Sequence, residues 1–242
     1  MLYMHFTVEH VHGHHKRVAT MEDPATAIKG ITLYEFVPKS IKGGFLSAFN
    51  INPLFTSLSV VGSLLFIAGV YNFYGLKCTL YACFMAAGGI FFLELINYIE
   101  HYGLMRKKLP DGTYEKVTIR HSWNAPHRIS NYLTFKVQRH SDHHENSTKP
   151  YQMLCTYENS PQLPHGYLVC LMIACSPKVS HIVTQHWFAM MNPLVDEYSK
   201  TEKGTNLKEL AEAEKKADDF MDRLYLFTAS MMILEIFLKY GI

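Results

Sequence analysis

Between Gly43 and Leu76 the sequence holds no aspartate, glutamate, lysine or arginine. A water-facing helix cannot go that long without charge, so this stretch is either buried on every side or dissolved in lipid. Its centre, LFTSLSVVGSLLFIAGVY over residues 54–71, is long enough as a helix to cross a hydrocarbon layer of about 30 Å. Other shortages narrow the field further. The formal net charge is only +2 and its lysines are dispersed rather than interleaved with aromatic residues, which excludes a nucleic-acid footprint. The five cysteines (Cys78, Cys83, Cys155, Cys170 and Cys175) form no C-x-x-C pair, and their odd number argues against a disulfide framework and for a reducing compartment. The first ten residues already carry His5, Glu9 and His10, without a small-residue cleavage pattern, so they do not read as a signal peptide.

A second apolar run, residues 78–100, meets Glu94 only near its end. A carboxylate at hydrocarbon depth is costly unless it faces a polar interior, so Glu94 and Asn97 should point toward protein near one membrane surface. A short turn at about residues 72–77 joins the two runs into a membrane hairpin at about residues 52–99. Lys29, Lys39 and Lys42 precede it and Arg106, Lys107 and Lys108 follow it, against Lys77 alone in the turn. The positive-inside bias places both flanks in the cytoplasm, and every histidine goes with them. The expected fold is therefore all-α: an integral, multi-pass membrane helical protein with a cytoplasmic histidine-rich metal-binding cap, residues 1–242 forming a single domain.

Around the hairpin the pattern predicts a short helix over residues 32–41, loosened at Gly43-Gly44, with a turn at LPDG (109–112). Residues 114–119 read as a short strand or extended loop, and residues 131–138 as a helix leading into RHSDHH. The apolar run 167–177 is too short to span and reads as a helix on the membrane face or the core. Beyond it, residues 202–223 suit a solvated helix and residues 224–240 an apolar helix on the membrane surface.

What the chain does have is clustered histidine. In EHVHGHH, His10 and His14 are four apart and share a helical face, so both can approach one metal or adjacent metals. His15 lies about 100° around a regular helix and either serves a different ion or requires unwinding near Gly13. RHSDHH repeats the arrangement with His140, His143 and His144, while His101 closes the second apolar run in NYIEHYG. His12 and His5 are weaker candidates, His5 as a hydrogen-bond partner of a ligand. Glu100 either ligates or holds a histidine. Asp142 orients an imidazole through its second nitrogen or pairs with Arg139.

Two H-x-x-x-H arrangements, each with an adjacent extra histidine, imply more than one metal ion. A zinc hydrolase needs about three protein ligands and an open position, and the chain has no H-E-x-x-H. Nitrogen-rich ligation beside an apolar entry better suits oxygen activation by two irons, because iron changes oxidation state and zinc does not.

At these residues the sequence resembles the membrane alkane monooxygenases, within the wider membrane desaturase and hydroxylase superfamily. EHVHGHHKRVATMEDPATA is similar to that family's second histidine motif and its extension, NYIEHYGL to its N-Y-x-E-H-Y-G-L signature, and HSWNAPHRISNYLTFKVQRHSDHH to the segment through its third box. KPYQML and PQLPHGY continue the likeness, which runs from about residue 3 to residue 193. The resemblance implies a non-haem di-iron centre on the cytoplasmic side, held here by His10, His14, His15, His101, His140, His143 and His144, with no catalytic residue beyond these ligands. It also implies O2 as co-substrate, and an alkane or other long apolar chain lying between lipid-embedded helices with its terminal methyl toward the metals. Electrons would come from rubredoxin and its NAD(P)H-dependent reductase.

The family's first box, H-E-x-x-H-K, should lie upstream of His10, so the chain is expected to be N-terminally incomplete. Cys155 stands where the family commonly has arginine, and Glu145 where it has a small residue. A fatty-acyl desaturase or hydroxylase of the same superfamily, and an inactive truncated membrane protein, are the alternatives these departures leave.

Overall fold

Thr32 and Glu35 close a capping box: the Glu35 N–H reaches the Thr32 hydroxyl at 3.3 Å, and the Glu35 carboxylate accepts from the Thr32 N–H at 2.9 Å. The helix so started is one of several in a computed structural model that describes residues 2–125, 131, 134–157, 159–163 and 166–175. In chain order these are α1 (Phe6–Val8), a π-helical turn (Glu9–His14), α2 (His15–Arg17), α3 (Leu33–Ile51), α4 (Pro53–His101), α5 (His140–Glu145) and α6 (Tyr167–Ala174). Among the described residues there is no strand, only isolated bridges at Lys108–Tyr114 and Asn124–Gln162. The chain divides into two compact units, Met1–Trp187 and Phe188–Ile242. The second unit lies outside the described residues, as do the two tail helices expected there.

Helix α3 does not loosen at Gly43-Gly44; it continues for 19 residues, through Pro38, to Ile51. A Cβ on Gly43 would come within 2.7 Å of Pro24 Cβ, and one on Gly44 within 3.7 Å of Glu9 Cγ. These glycines therefore let the 9–24 segment lie close against α3, which a flexibility reading of the dipeptide overlooks.

Helix α4 has 49 residues and breaks only at Gly75 (φ 76°, ψ 179°), a left-handed position that glycine takes without steric cost. The expected turn over residues 72–77 is thus a single residue with helix on both sides. A straight rod from Pro53 to Tyr98 would measure about 68 Å. Yet Tyr98 packs on Phe36 at 5.5 Å between ring centres, and only about 24 Å of α3 separates Phe36 from the start of α4. The limb after Gly75 must run back toward the base of α3.

The apolar limbs are exposed: the most hydrophobic 18-residue window of α4 has mean hydropathy 1.9 and only 11% of it is buried. Leu65, Phe73 and Phe84 stand 66%, 83% and 73% exposed. Hydroxyls on this helix turn inward to their own backbone, Ser59 to Phe55 O at 2.8 Å and Thr79 to Gly75 O at 3.0 Å. Besides Thr56, Ser59 and Thr79, burial on α4 is concentrated at its far end, where Glu94, Asn97, Tyr98, Ile99, Glu100 and His101 are all enclosed.

The chain leaving α4 is tied to the segment after α2. Gly103 N–H donates to Ala27 O at 2.6 Å and Arg106 N–H to Ala19 O at 2.7 Å. The Arg106 guanidinium forks across three further carbonyls, Val18 at 2.8 Å, Lys16 at 2.8 Å and Glu115 at 3.0 Å. Residues 114–119 form an extended loop rather than a strand. Residues 134–138 are a turn rather than the expected helix, because Phe135 and Lys136 sit at φ 51° and 59°, outside the helical region. Asn124 fastens α5, its side-chain oxygen accepting from Ser141 N–H at 3.0 Å while its amide donates to Pro161 O at 3.0 Å.

Candidate metal centre

The helix carrying the first histidine cluster is not regular. From Glu9 to His14 it widens to a π turn, in which residues five apart come into line where an α-helix would align those four apart. His10 and His15 consequently face each other, Nε2 to Nε2, at 3.1 Å. The widened turn is braced from outside: Arg17 bonds Glu9 at 2.9 Å and Ser47 of α3 at 2.5 Å, directly over Gly13. A Cβ on Gly13 would collide with the Glu9 carboxylate and lie 2.7 Å from Arg17 Nη2.

His14 is thereby turned to a different set of partners. Its Nε2 lies 3.1 Å from Nε2 of His101, the last residue of α4. His101 Nε2 lies 3.0 Å from that of His140, and His140 Nε2 lies 2.9 Å from that of His144. These four side chains are buried, and their ligand atoms lie within 4.8 Å of one another. His10, His15 and His143 make a second group that is partly exposed. Rings of the two groups touch, with centroids 4.8 Å apart for His15–His144, 5.3 Å for His10–His14 and 5.3 Å for His143–His144. All seven histidines singled out in the sequence are therefore together, divided four and three.

The spacing tests whether a metal fits. Neighbouring nitrogens on one ion at about 2.1 Å stand about 3.0–3.4 Å apart, which matches the nitrogen separations of the buried group. Burial also favours, at His10, His15, His101, His140, His143 and His144, the neutral form that ligands need. Desolvation, reinforced by the neighbouring histidines, pushes His10 down to about 2 and His15 to about 3, and holds His140 and His144 well below the ordinary histidine value. The Nδ1 atoms of His101, His140 and His144 are buried without a protein partner. Imidazole nitrogens converging in this way are a donor set for a borderline transition metal.

Carboxylates complete the surroundings. Asp23, fully buried, accepts from His14 Nδ1 at 2.9 Å, from Thr26 Oγ1 at 2.7 Å and from Ala25 N–H at 3.0 Å. Burial alone would raise its carboxyl, but His14 and Thr26 hold it below the usual range. Asp23 reads in the sequence only as a turn signal before Pro24; the Asp-x-x-Thr spacing is the one clue to its place. Glu100 Oε2 lies 3.2 Å from His140 Nε2. Glu94 accepts from Tyr3 at 2.7 Å and, with Asn97, faces protein, as the cost of a buried charge requires.

Asp142 does neither of the things expected of it. It accepts from Lys149 at 2.6 Å, Cys155 N–H at 2.7 Å and Asn146 at 2.9 Å, touching no imidazole and not Arg139. Its partners all lie after it in the chain, so it fixes the return of the chain beyond α5. Arg139 instead bonds Leu154 O. His5 Nε2 has no hydrogen-bond partner, so it does not support a ligand, and His12 is exposed.

A helical chain that brings seven imidazoles into two adjacent sets at the end of a long apolar helix is a candidate membrane metalloprotein. It belongs to the fatty acid desaturase family, whose profile matches residues 1–173. The chain is 38% identical over 214 residues to an alkane 1-monooxygenase of Acinetobacter baylyi, covering 82% of this chain and 50% of the relative. It is 37% identical over 210 residues to alkane 1-monooxygenase 2 of Pseudomonas aeruginosa, covering 81% and 54%. A more distant similarity, 26% over 226 residues, covers 86% of this chain and 57% of the xylene/toluene monooxygenase hydroxylase component XylM of Pseudomonas putida. The chain spans about half the length of the curated relatives it matches.

Proposed function

We propose that this chain carries the di-iron centre of an alkane 1-monooxygenase. The reaction converts a terminal methyl, dioxygen, two electrons and two protons into a primary alcohol and water. The observation that carries the reading is the gathering of His14, His101, His140 and His144 into one buried donor set, with His10, His15 and His143 beside it. When bound there, redox-active iron supplies the dioxygen activation needed to oxidise an unactivated C–H bond. The alkane 1-monooxygenases among its relatives favour an alkane as substrate over other apolar chains.

The residues of the chain do the positioning. Asp23 fixes the His14 ring and its tautomer, leaving Nε2 free to ligate. A narrow cavity lined by Tyr3, Phe6, His10, His14, Glu94 and Asn97 reaches a histidine of each group, so a chain end entering it meets both. One methylene changes binding by only about 1–3 kcal/mol, so terminal selectivity is a matter of depth and shape rather than of affinity.

The two limbs of α4 form a pair of membrane crossings, with the basic flanks and the metal cluster on the cytoplasmic side. Their exposed apolar faces and inward-bonded hydroxyls suit a solvent that offers no hydrogen bonds. Electrons come from rubredoxin and its NAD(P)H-dependent reductase.

The name of the matching profile favours one second reading, a fatty-acyl desaturase or hydroxylase on the same donor set. Iron quantification and Mössbauer spectroscopy on protein purified from membranes, followed by turnover with an alkane and with an acyl donor in the presence of rubredoxin and reductase, separate the two. A pair of irons and a primary alcohol is the expected outcome. Product from the acyl donor alone favours the second reading, and an iron-free protein sinks both.

A further inference from the structure

Glu100 is enclosed at the end of α4, next to the ligand His101, and a buried carboxylate is stable only if its oxygens are occupied. One oxygen, Oε2, lies 3.2 Å from His140 Nε2, on the side where the four imidazole nitrogens meet. The other, Oε1, accepts the hydroxyl of Tyr167 at 2.5 Å, at the short end of O–H···O bonds. Tyr167 is the first residue of α6, itself 3% exposed, and reaches Glu100 from 67 residues away. The backbone agrees with the side chains: Trp123 N–H donates to Glu100 O at 2.9 Å, so this residue is held at three points.

We propose that Tyr167 is a positioning residue of the metal centre: by occupying Oε1 it fixes the Glu100 carboxylate with Oε2 turned to the His14, His101, His140 and His144 set. The inference deepens the di-iron reading and rests on it, although its test reads metal binding and not turnover. Among the described residues Tyr167 hydrogen-bonds Glu100 and no histidine. Without its hydroxyl, Glu100 keeps among the described residues His140 as its one polar side-chain partner, and the carboxylate is free to rotate about its last torsion. That disorder reaches the metal through the oxygen facing His140, whereas the aromatic packing of Tyr167 survives in phenylalanine.

The test uses the full chain, purified in detergent, stripped of metal and titrated with Co2+, whose visible bands report ligand geometry. Tyr167→Phe is expected to shift those bands and to lower Co2+ affinity, measured against a competing chelator, by about 10- to 100-fold. Glu100→Gln should do the same, and the double variant should lose no more than Glu100→Gln alone, since both act through one carboxylate. Bands and affinity unchanged in Tyr167→Phe overturn the proposal, as do losses in the two single variants that simply add. If Tyr167→Phe does not fold, Tyr167→Met, which fills the space without a donor, takes its place, and an unchanged Co2+ spectrum then overturns the proposal equally. A wild-type chain that binds no Co2+ at either group overturns the di-iron reading itself, so the two failures are distinguishable.

Discussion

Nδ1 of His14 and Oδ2 of Asp23 lie 2.9 Å apart with both side chains shut away from solvent. The pair decides which nitrogen of His14 carries the proton. With Nδ1–H given to the carboxylate, Nε2 presents a lone pair to His101 and the rest of the buried set. Asp23→Ala should therefore lower metal affinity by about 10- to 100-fold, read by chelator competition, with Asp23→Asn intermediate because the amide oxygen still accepts. Equal affinity in all three proteins would mean that Asp23 does not set the His14 ring for the metal.

Gly13 offers a test of the division into four and three. Gly13→Ala drives a methyl into the Glu9–Arg17 brace, so the π turn must shift and His10 must part from His15. The expected outcome is loss of the partly exposed group's metal with the buried group's retained, seen as a halved Co2+ stoichiometry. Unaltered stoichiometry would show that the π register is not what pairs those two rings.

The metal-free protein should be acid-sensitive, and the sign follows from the direction of the shifts. Desolvation and mutual repulsion depress His10 to about 2 and His15 to about 3 in the folded chain, against about 6.5 in the unfolded one. Above about pH 6.5 both states are neutral and nothing is lost; as pH falls below it the unfolded chain takes up protons that the folded chain refuses. Melting temperatures of the apo protein should drop steadily from roughly pH 7 to pH 5. Metal should raise the whole profile without flattening it, because the folded chain takes up no proton at these histidines in that range with or without metal, while the unfolded chain still does. A flat apo profile would contradict the buried, neutral cluster.

On α4, Leu65→Arg separates lipid from water as the solvent of the apolar limbs. Leu65 is 66% exposed, so in a soluble protein the change would be nearly neutral. At the middle of a membrane crossing it costs about 2.5–3.5 kcal/mol of insertion. We expect the variant to leave the carbonate-resistant membrane fraction in large part, and full retention there would argue against a crossing at this position.

Arg106→Lys tests the strap between the first cluster and the end of α4. Lysine keeps the charge but cannot reach the carbonyls of Lys16, Val18 and Glu115 together. A loss of about 1–3 kcal/mol in unfolding free energy is expected from the orphaned acceptors, measured by denaturant titration in detergent.

The histidines were legible because imidazole in two repeated spacings has no packing explanation, and the structure brings together every one of the seven named. Their partition was not legible. A sequence read at 3.6 residues per turn pairs His10 with His14, and only the π turn, which Glu9, Arg17 and Ser47 brace from three elements, pairs His10 with His15. Asp23 and Tyr167 were missed for a related reason, since each meets its partner through a contact that chain order does not encode. The apolar gap marked α4 well, yet its turn shrank to Gly75 and α3 outran its expected end. Gly75 supplies a left-handed bend within the expected turn, and Gly43-Gly44, which reads as slack, supplies a close approach.

The widened turn at Glu9–His14 also limits what can be borrowed from this protein. Grafted onto an ideal helical scaffold, H-x-x-x-H-H would revert to ordinary α geometry and aim its first two imidazoles at a single ion. A designer wanting neighbouring ions would need to import the irregularity, brace included, along with the letters.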